Sequence, residues 1–487
     1  MAFVLDPKIE HLLRRAGFGA RQDELDVYRT ESFGGAVTRL LEYERIPDDV
    51  DGKIGEPGYV GITTRARFSP TSVIVDARQR WLFRLVHTDR PLQEKMTLFW
   101  HNHFATGYSK IAGIIGAAEA TRYMAAKPSE DPAGVRGQIE LFRDMALGNF
   151  RDLLVAVARD TAMLFWLDGY TNTRARPQEN FGREIMELFT FGVKHYTEQD
   201  VYAAARVFTG WNLTRPGQAA DGTQRYQFNY NANQHDTGEK TFSFAIYPDG
   251  SRTIRARSGA EGIQDGLDLI EALAAHPETP RYIGRKLYRF FISETGDVPE
   301  RFLDALAGAY FQSGYSMRAV MRELFYSREF ADTSVMFTRF GWPVEFVVRA
   351  LKDIGWSGYS VNDALTPLSN MGQNLFDPPD VAGWDLGRAW FSTGSMLARM
   401  NFASALTGNQ RFNLANAARG NAATPEALLA WVLEALKTPE FDNETRSAML
   451  AYLRANAATW TGTGTQLQAK VAGLVHLVAG TPEYQFV

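Results

Sequence analysis

Residues 73–104 read VIVDARQRWLFRLVHTDRPLQEKMTLFWHNHF. Within this stretch, apolar side chains recur every three or four residues at 73–86 and again at 92–104, which is the period of one face of an α-helix. The same period returns along most of the chain, at residues 9–15, 33–43, 150–159, 262–275, 281–292, 299–311, 344–354 and 425–436. The sequence therefore predicts a mainly α, multi-helical globular protein.

A different pattern occupies residues 214–260. Apolar and polar side chains alternate there, as in YQFNY at 226–230 and TFSF at 241–244, and PDG at 248–250 is a turn signal. Alternation of this kind is typical of β-strands. We therefore expect a small antiparallel β insert between two helical regions, which divides the chain into residues 1–213, 214–260 and 261–487.

The charge of the chain argues against binding to nucleic acids. Its 52 basic and 56 acidic residues give a net charge of −4, without a long basic run. One basic group, at Arg281, Arg285, Lys286 and Arg289, is interleaved with apolar residues on a predicted amphipathic helix. We expect these four side chains to form the solvated face of that helix. No nucleic-acid partner is expected.

Composition also limits the kinds of site and the location. With 0 cysteines, the chain has no disulfide, no thiolate metal site and no cysteine nucleophile. The first residues, MAFVLDP, lack the basic and apolar segments of a secretory signal, and no apolar run is long enough for a transmembrane segment. A cytoplasmic location is the default expectation, and a periplasmic or exported one would follow if a leader had been removed.

The densest group of polar side chains lies at residues 177–189, PQENFGREIMELF. This stretch is predicted to be a helix, with Asn180, Glu184 and Glu187 along one face and apolar residues along the neighbouring face. Two carboxylates three residues apart can share a divalent cation, or raise each other's pKa enough for acid–base chemistry. This face is therefore a candidate site.

A structural interpretation of the same helix stays open. Arg183 can pair with Glu179 and Glu187 at four-residue spacing on an exposed helix, where each pair stabilises by about 0.2–0.5 kcal/mol. Gly182 argues the other way. A glycine inside a helix costs about 1 kcal/mol against alanine and often marks the close approach of another backbone or of a ligand.

A pair of histidines forms the second candidate group, in WHNHF at residues 100–104. If this segment is extended, His101 and His103 point the same way and could bind one metal ion. If it is helical, they lie about 200° apart and cannot easily do so. Only 8 histidines occur in the chain, so a pair at this spacing is unusual, although a buried, hydrogen-bonded histidine is most often structural.

The two candidate groups suggest one functional hypothesis. If their segments converge, they form a polar pocket that binds a divalent metal ion or a polar ligand and supports hydrolysis. The metal ligands would be His101, His103, Glu184 and Glu187, and the catalytic acid–base groups would be Glu184, Glu187 and His103. No cofactor other than a divalent metal ion is indicated.

Further side chains are assigned to ligand binding under this hypothesis. Asn180 and Arg183 would orient an anionic or hydroxylated substrate. Trp100, Trp211 and Trp384 would form the walls of the cleft.

The competing hypothesis is a non-enzymatic helical binding or assembly protein. In such a protein the same polar groups form a buried, fully hydrogen-bonded network that fixes the register of the helices. Motifs that would identify a common enzyme class do not occur, because the sequence contains no GxxxxGK[ST] phosphate loop, no HExxH, no GxSxG elbow and no strand-linked GxGxxG. Both hypotheses stay open at the level of the sequence.

Several ordered motifs resemble those of a known family. They are HLLRRAGFG at 11–19, WHNHF at 100–104, ENFGREIMELFTFGV at 179–193, FTGW at 208–211, HDTGEKTF at 235–242 and FDPPDVAGW at 376–384. Together they span nearly the whole chain and are similar to the large bacterial domain-of-unknown-function family numbered eighteen hundred.

The resemblance indicates which motif positions characterise the family, but it does not indicate a reaction. It makes the WHNHF and ENFGREIMELF positions hallmarks of the family, but it transfers no catalytic role, since the family has no agreed activity. Many members are exported, and their genes neighbour a family similar to alkaline phosphatases and sulfatases. The resemblance therefore implies a phosphatase- or sulfatase-like partner encoded nearby, and this chain departs from exported members by its lack of an evident leader.

Overall fold

Helices dominate the computed structural model of the protein. It describes residues 6–217, 225–455 and 459–487. Within these residues the chain forms 24 α-helices and two small antiparallel sheets. The mainly α class predicted from the helical period is confirmed.

The helices of the first half, up to the sheets, are α1 (Pro7–Ala16), α2 (Gln22–Tyr28), α3 (Phe33–Leu41), α4 (Ile74–His87), α5 (Pro91–His103), α6 (Tyr108–Ile115), α7 (Ala117–Ala125), α8 (Gln138–Asp144), α9 (Phe150–Ala158), α10 (Thr161–Trp166), α11 (Glu179–Glu187) and α12 (Glu198–Val207). Those of the second half are α13 (Ile263–Ala275), α14 (Glu278–Phe291), α15 (Glu300–Gln312), α16 (Met317–Tyr326), α17 (Arg328–Ala331), α18 (Pro343–Ile354), α19 (Asn362–Asn370), α20 (Thr393–Ala418), α21 (Pro425–Ala435), α22 (Asn443–Arg454), α23 (Gly464–Ala479) and α24 (Pro482–Gln485).

The two sheets lie between α12 and α13, where the β insert is predicted. Each sheet has two antiparallel strands, and the pairs are β1 (Trp211–Thr214) with β2 (Gln227–Tyr230) and β3 (Lys240–Thr241) with β4 (Thr253–Ile254). The small β insert is thus confirmed.

The start of the insert differs from the predicted residue 214. Helix α12 ends at Val207, and Gly210, with φ of +81°, turns the chain into β1. Glycine adopts this backbone conformation without steric cost. The turn at Gly210 allows strand β1 to begin at Trp211, three residues before the predicted start. Residues 218–224 of the predicted insert lie outside the described residues.

Helix α5 runs through the interior of the helical region. It begins with Pro91 in its first turn, and every residue is buried except Asn102, which is partly buried. Its polar side chains must therefore find partners inside the protein. Glu94 does so by accepting hydrogen bonds from Arg84 and Arg143, both at 2.7 Å.

Helix α11 is held closely against α12. A Cβ on Gly182 would lie 2.9 Å from the backbone nitrogen of Ala205 and 3.0 Å from the Cβ of Ala204. The mid-helix glycine therefore marks the approach of another backbone. Helix α12 itself begins with a capping box between Thr197 and Asp200, which satisfies backbone N–H groups of its first turn.

One cluster of buried hydrophobic side chains extends from α1 to α24 and includes residues of all three predicted regions. The division of the chain at residues 213 and 260 stays a prediction. None of the described helices combines the length and the apolar composition needed to cross a membrane.

Candidate functional site

The last turn of α5 carries both histidines of WHNHF. The helix continues through His103, so the extended alternative does not occur. Residues two apart on a helix differ by about 200° in direction. His101 and His103 therefore point to opposite sides of α5, and both are buried, with exposed fractions of 1% and 2%.

His101 faces the FDPPDVAGW segment. Its Nε2 accepts a hydrogen bond from the backbone N–H of Phe376 at 3.2 Å, and its ring centroid lies 5.3 Å from that of Trp384. Burial lowers the pKa of His101 to about 3. The ring is therefore neutral, with its proton on Nδ1, and it anchors a distant loop.

Asn102 extends this contact. Its Oδ1 accepts a hydrogen bond from the backbone N–H of Trp384 at 2.7 Å. The preceding residue, Gly383, has a φ of +91°, and a Cβ there would lie 2.4 Å from Asn102 Oδ1. Only glycine suits both the backbone conformation and the close approach. Asn102 is not among the predicted site residues, and its only signal in the sequence is its place between the two histidines.

His103 faces the ENFGREIMELFTFG segment. Its Nε2 donates to the carbonyl oxygen of Phe189 at 3.1 Å, and its Nδ1 accepts from Lys286 Nζ at 3.2 Å. An ammonium group can only donate, so the ring proton lies on Nε2. Burial, together with the positive charge of Lys286, holds the pKa of His103 well below its usual value. A ring-to-backbone hydrogen bond thus joins the two segments.

Lys286, on α14, is the residue that the sequence analysis assigned incorrectly. Its ammonium lies 3.3 Å from the carbonyl oxygen of Leu188 and 5.0 Å from the ring centroid of Tyr282. Burial lowers its pKa to about 8. Lys286 is partly buried instead of fully solvated, because its ammonium is turned from the edge of the apolar stripe of α14 toward His103.

The candidate carboxylates of α11 are partly buried. Tyr196 donates its hydroxyl hydrogen to Glu187 Oε2. Tyr282, on α14, packs against Gly192, where an added Cβ would lie 3.0 Å from its ring. Burial, and then the negative charges of Glu187 and Glu184, raise the pKa of Tyr282 to about 12. We call Glu184, Glu187, Tyr196 and Tyr282 the carboxylate cluster.

Glu184 is the member of the cluster whose protonation changes near neutral pH. Burial, and then the negative charge of Glu187, raise its pKa to about 7. Among the described residues, no basic nitrogen lies within 4.0 Å of either carboxylate. Arg183 pairs with Glu198 at 2.7 Å and with Glu179 at 3.6 Å. Of its two predicted partners, only Glu179 is thus found.

Asn180 lies toward the opposite end of α11 and is exposed. Its Nδ2 donates to Asp168 Oδ2 at 3.0 Å, and the same oxygen accepts from Lys110 Nζ at 3.1 Å. Arg183 precedes Glu184 on the same helix, and its charge lowers the pKa of Glu184 against the stronger upward effects of burial and Glu187. The substrate-orienting role of Asn180 and Arg183 stays a prediction.

The three tryptophans assigned to the cleft walls lie in the core. Trp100, Trp211 and Trp384 have exposed fractions of 0%, 1% and 4%. Trp100 also donates from Nε1 to the carbonyl oxygen of Ala146 at 2.9 Å. For these rings to touch a ligand the surrounding helices would have to part, so their ligand role stays a prediction.

The four predicted metal ligands are not brought together as one set. Within the part of the chain that the structure describes, no group of three or more histidine, aspartate and glutamate side chains is arranged to hold a metal ion. His101 and His103 diverge, and backbone groups occupy one nitrogen of each. The segment of His103 and that of Glu184 meet, but not through a shared set of ligand atoms.

The ordered motifs of this chain were compared with models of known protein families. The model of the family described as protein of unknown function (DUF1800) matches residues 11–486. The chain belongs to the DUF1800 family. No curated protein and no solved structure matches it. The resemblance of the motifs is thereby confirmed, and the DUF1800 model carries no activity with it.

The remaining DUF1800 motifs supply structural contacts in this chain. In HDTGEKTF, His235 and Lys240 are fully buried around Asp265 of α13, with nitrogen–oxygen distances of 3.2 and 2.6 Å. In HLLRRAGFG, Arg15 is fully buried and donates to the carbonyl oxygen of Ile292 at 2.8 Å. Groups without access to solvent cannot meet a substrate, so these ion pairs and hydrogen bonds join segments of the DUF1800 fold.

Proposed function

We propose that the carboxylate cluster is a hydrolytic acid–base site in which Glu184 exchanges the proton. The observation that carries this proposal is a pair of carboxylates, Glu184 and Glu187, one turn apart on α11 and without a basic nitrogen within 4.0 Å among the described residues. Carboxylates with structural roles are generally paired with cations. An uncompensated pair instead favours sharing of one proton, which is the arrangement that acid–base catalysis uses.

Each member of the cluster has a role in this proposal. Because its pKa is about 7, Glu184 is present in both protonation states at neutral pH and can act as general acid or general base. Glu187, held by Tyr196, supplies the second carboxylate. The hydroxyl of Tyr282 and the ammonium of Lys286, both on α14, would stabilise negative charge that develops on the substrate.

Hydrolysis of a panel of 4-nitrophenyl esters, phosphates and glycosides tests the proposal. We expect turnover of at least one class, with a limb of the pH profile near 7. Glu184→Gln should lower kcat by about 10²–10⁴-fold. Glu179→Gln, an exposed control on the same helix, should leave kcat unchanged. A wild-type chain that hydrolyses none of the panel, or a Glu184→Gln variant as active as the wild type, counts against the proposal.

The metal-dependent form of this proposal needs a separate measurement. It assigns ligand roles to His101, His103, Glu184 and Glu187. Native mass spectrometry supports it if the purified chain carries a stoichiometric divalent metal that Glu184→Gln and His103→Leu both remove. A native chain without stoichiometric metal contradicts it and leaves the acid–base form of the proposal to the kinetic test.

A non-enzymatic assembly protein is the second candidate. What favours it is that His101, Asn102 and His103 each bind the backbone of a distant segment, as a buried structural network would. Its partner would be the phosphatase- or sulfatase-like protein that the resemblance implies. Co-purification of the two proteins, together with no turnover of the panel, would favour this candidate over the enzyme.

A further inference from the structure

A separate cavity opens beside the first sheet. It has a volume of about 450 Å³ and lies between α9, the start of α10 and strand β2. This volume is within the range of small-molecule sites. No residue of the carboxylate cluster lines it, so it constitutes a second candidate site.

Three arginines line this cavity, at positions 136, 159 and 225. Arg136 pairs with Asp144 at 3.4 Å, where both side chains are exposed. Arg225 is oriented by Gln227, whose Oε1 accepts from Nε at 3.3 Å. Among the described residues, neither Arg159 nor Arg225 has a carboxylate oxygen within 4.0 Å. Arg159 and Arg225 therefore give the wall of the cavity positive charge that no acidic side chain among the described residues pairs with.

Arg159 is the most unusual of the three. Its guanidinium carbon lies 5.5 Å from the ring centroid of Trp211 and 5.4 Å from that of Phe228. Its Nε is buried and has no hydrogen-bond partner among the described residues. The two aromatic faces hold the cation in place, and a buried donor without a partner in a folded protein needs an explanation. A ligand bound in the cavity that accepts a hydrogen bond from Arg159 Nε would explain the unpartnered donor.

The acidic side chains of the cavity are already engaged. Asp152 lies 3.2 Å from Arg151, which is outside the cavity. Asp160 caps α10 by accepting from the backbone N–H of Met163 at 2.9 Å, and it also accepts from Gln138 at 2.8 Å. Neither carboxylate makes an ion pair with an arginine of the cavity. An incoming anion would therefore meet two guanidinium groups that have no acidic partner among the described residues: that of Arg159, and that of Arg225, which donates only to Gln227 and to the carbonyl oxygen of Ala133.

We propose that this cavity binds a small organic anion whose phosphate or sulfate group is held by Arg159 and Arg225. The planar fork of N–H groups on a guanidinium matches the oxygen spacing of such oxyanions. Tyr226 and Phe228, which also line the cavity, provide apolar surface for the remainder of the ligand. An aromatic or sugar-sized group suits this volume.

Thermal unfolding with sodium phosphate, sodium sulfate and phenyl phosphate tests the site, at an ionic strength held constant with sodium chloride. A ligand that binds only the folded state raises Tm with its concentration. We expect all three anions to raise Tm above the chloride control, and phenyl phosphate to act at a lower concentration than inorganic phosphate. An equal Tm in every salt would overturn the proposal.

Variants locate the binding. Arg159→Met and Arg225→Met should each raise the apparent Kd for phenyl phosphate at least tenfold, whereas Arg322→Met, an exposed control on α16, should leave it unchanged. The same Kd in all three variants would overturn the assignment.

Unfolding in urea without added anion separates a binding role from a structural one. Arg159→Met should be at least as stable as the wild type, because it removes a buried donor that has no partner among the described residues. A marked loss of stability would show that Arg159 is a structural residue and overturn its role. None of these three measurements uses hydrolytic activity. A negative result here therefore leaves the proposal for the carboxylate cluster untouched, and the reverse also holds.

Discussion

The last turn of α5 is joined by a hydrogen bond from His103 to Phe189, two residues after the end of α11. The ionisable groups of the two helices nevertheless have different kinds of partner. On α5, burial lowers the pKa of His101 to about 3, and its ring nitrogen binds a backbone amide. On α11, burial and a second carboxylate raise the pKa of Glu184 to about 7, and no basic side chain among the described residues pairs with it.

Burial favours the neutral form of both groups, so the pKa values alone do not distinguish the two regions. The difference lies in their partners. The α5 side chains complete hydrogen bonds that the fold needs, whereas the α11 carboxylates are kept close together at a cost in stability. Residues of the first kind should destabilise the fold when removed, and residues of the second kind should not.

The largest expected effect is at Gly383, where the loop meets Asn102. Gly383→Ala places a Cβ 2.4 Å from Asn102 Oδ1 on a backbone with φ of +91°, and should lower the free energy of unfolding by about 4 kcal/mol. Gly250→Ala is the matched control, with φ of +83° and no atom within 4 Å of the new Cβ. It should cost about 1 kcal/mol. Urea unfolding measures both, and equal losses would contradict the proposed close contact.

His103 should have the next largest effect. His103→Leu leaves the carbonyl oxygen of Phe189 without its donor and leaves the ammonium of Lys286 with only the carbonyl oxygen of Leu188 as acceptor, and should cost about 3 kcal/mol. His103→Gln can still donate from its side-chain amide to Phe189, so it should cost about 1 kcal/mol. If both variants unfold at the same urea concentration as the wild type, the α5 turn is not a structural anchor.

The pH dependence of stability should follow the buried histidines. His101 has a folded pKa of about 3 against an ordinary value of 6.5, so the unfolded chain takes up a proton below pH 6.5 while the folded chain stays neutral. The stability contributed by its burial is therefore present above pH 6.5 and is lost as pH falls, by up to about 1.4 kcal/mol per pH unit. Urea unfolding between pH 5 and 7 should show a smaller slope in His101→Gln; an unchanged slope contradicts the assignment.

Glu184 should show the smallest effect and the opposite sign. Its folded pKa of about 7 exceeds the ordinary 4.5, so the cost of burying its charge is absent below pH 4.5 and complete above pH 7. Glu184→Gln should therefore match the wild type at pH 4 and be more stable by about 1 kcal/mol at pH 8, after allowance for solvent screening of a partly exposed group. A loss of stability at pH 8 would place Glu184 with the structural residues.

The helices were predictable because their signal is local. The periods at 73–86 and 92–104 correspond to α4 (Ile74–His87) and α5 (Pro91–His103), with ends that differ by one residue. The spacing of Glu184 and Glu187 along one face follows from the same periodicity. The motifs also predicted the family correctly, because they are long and occur in a fixed order.

The partners of those helices were not predictable, because they depend on contacts across the fold. Nothing near His103 in the sequence indicates that Lys286 supplies its donor from a helix 183 positions away. The pattern of α14 alone places Lys286 beside the apolar stripe, and only the packing of α5 and α11 turns it inward. Likewise, the period of α12 does not show that the helix ends at Val207 and that Gly210 turns the chain into β1.

The anchoring of α5 by a distant loop has a consequence during synthesis of the chain. The hydrogen bonds of His101 and Asn102 reach partners 275 and 282 positions further along. During translation, the last turn of α5 therefore cannot form these two hydrogen bonds until residues 376 and 384 have left the ribosome. Contacts of such long sequence separation slow folding, and nascent chains that stop short of residue 376 should be readily cleaved by proteases.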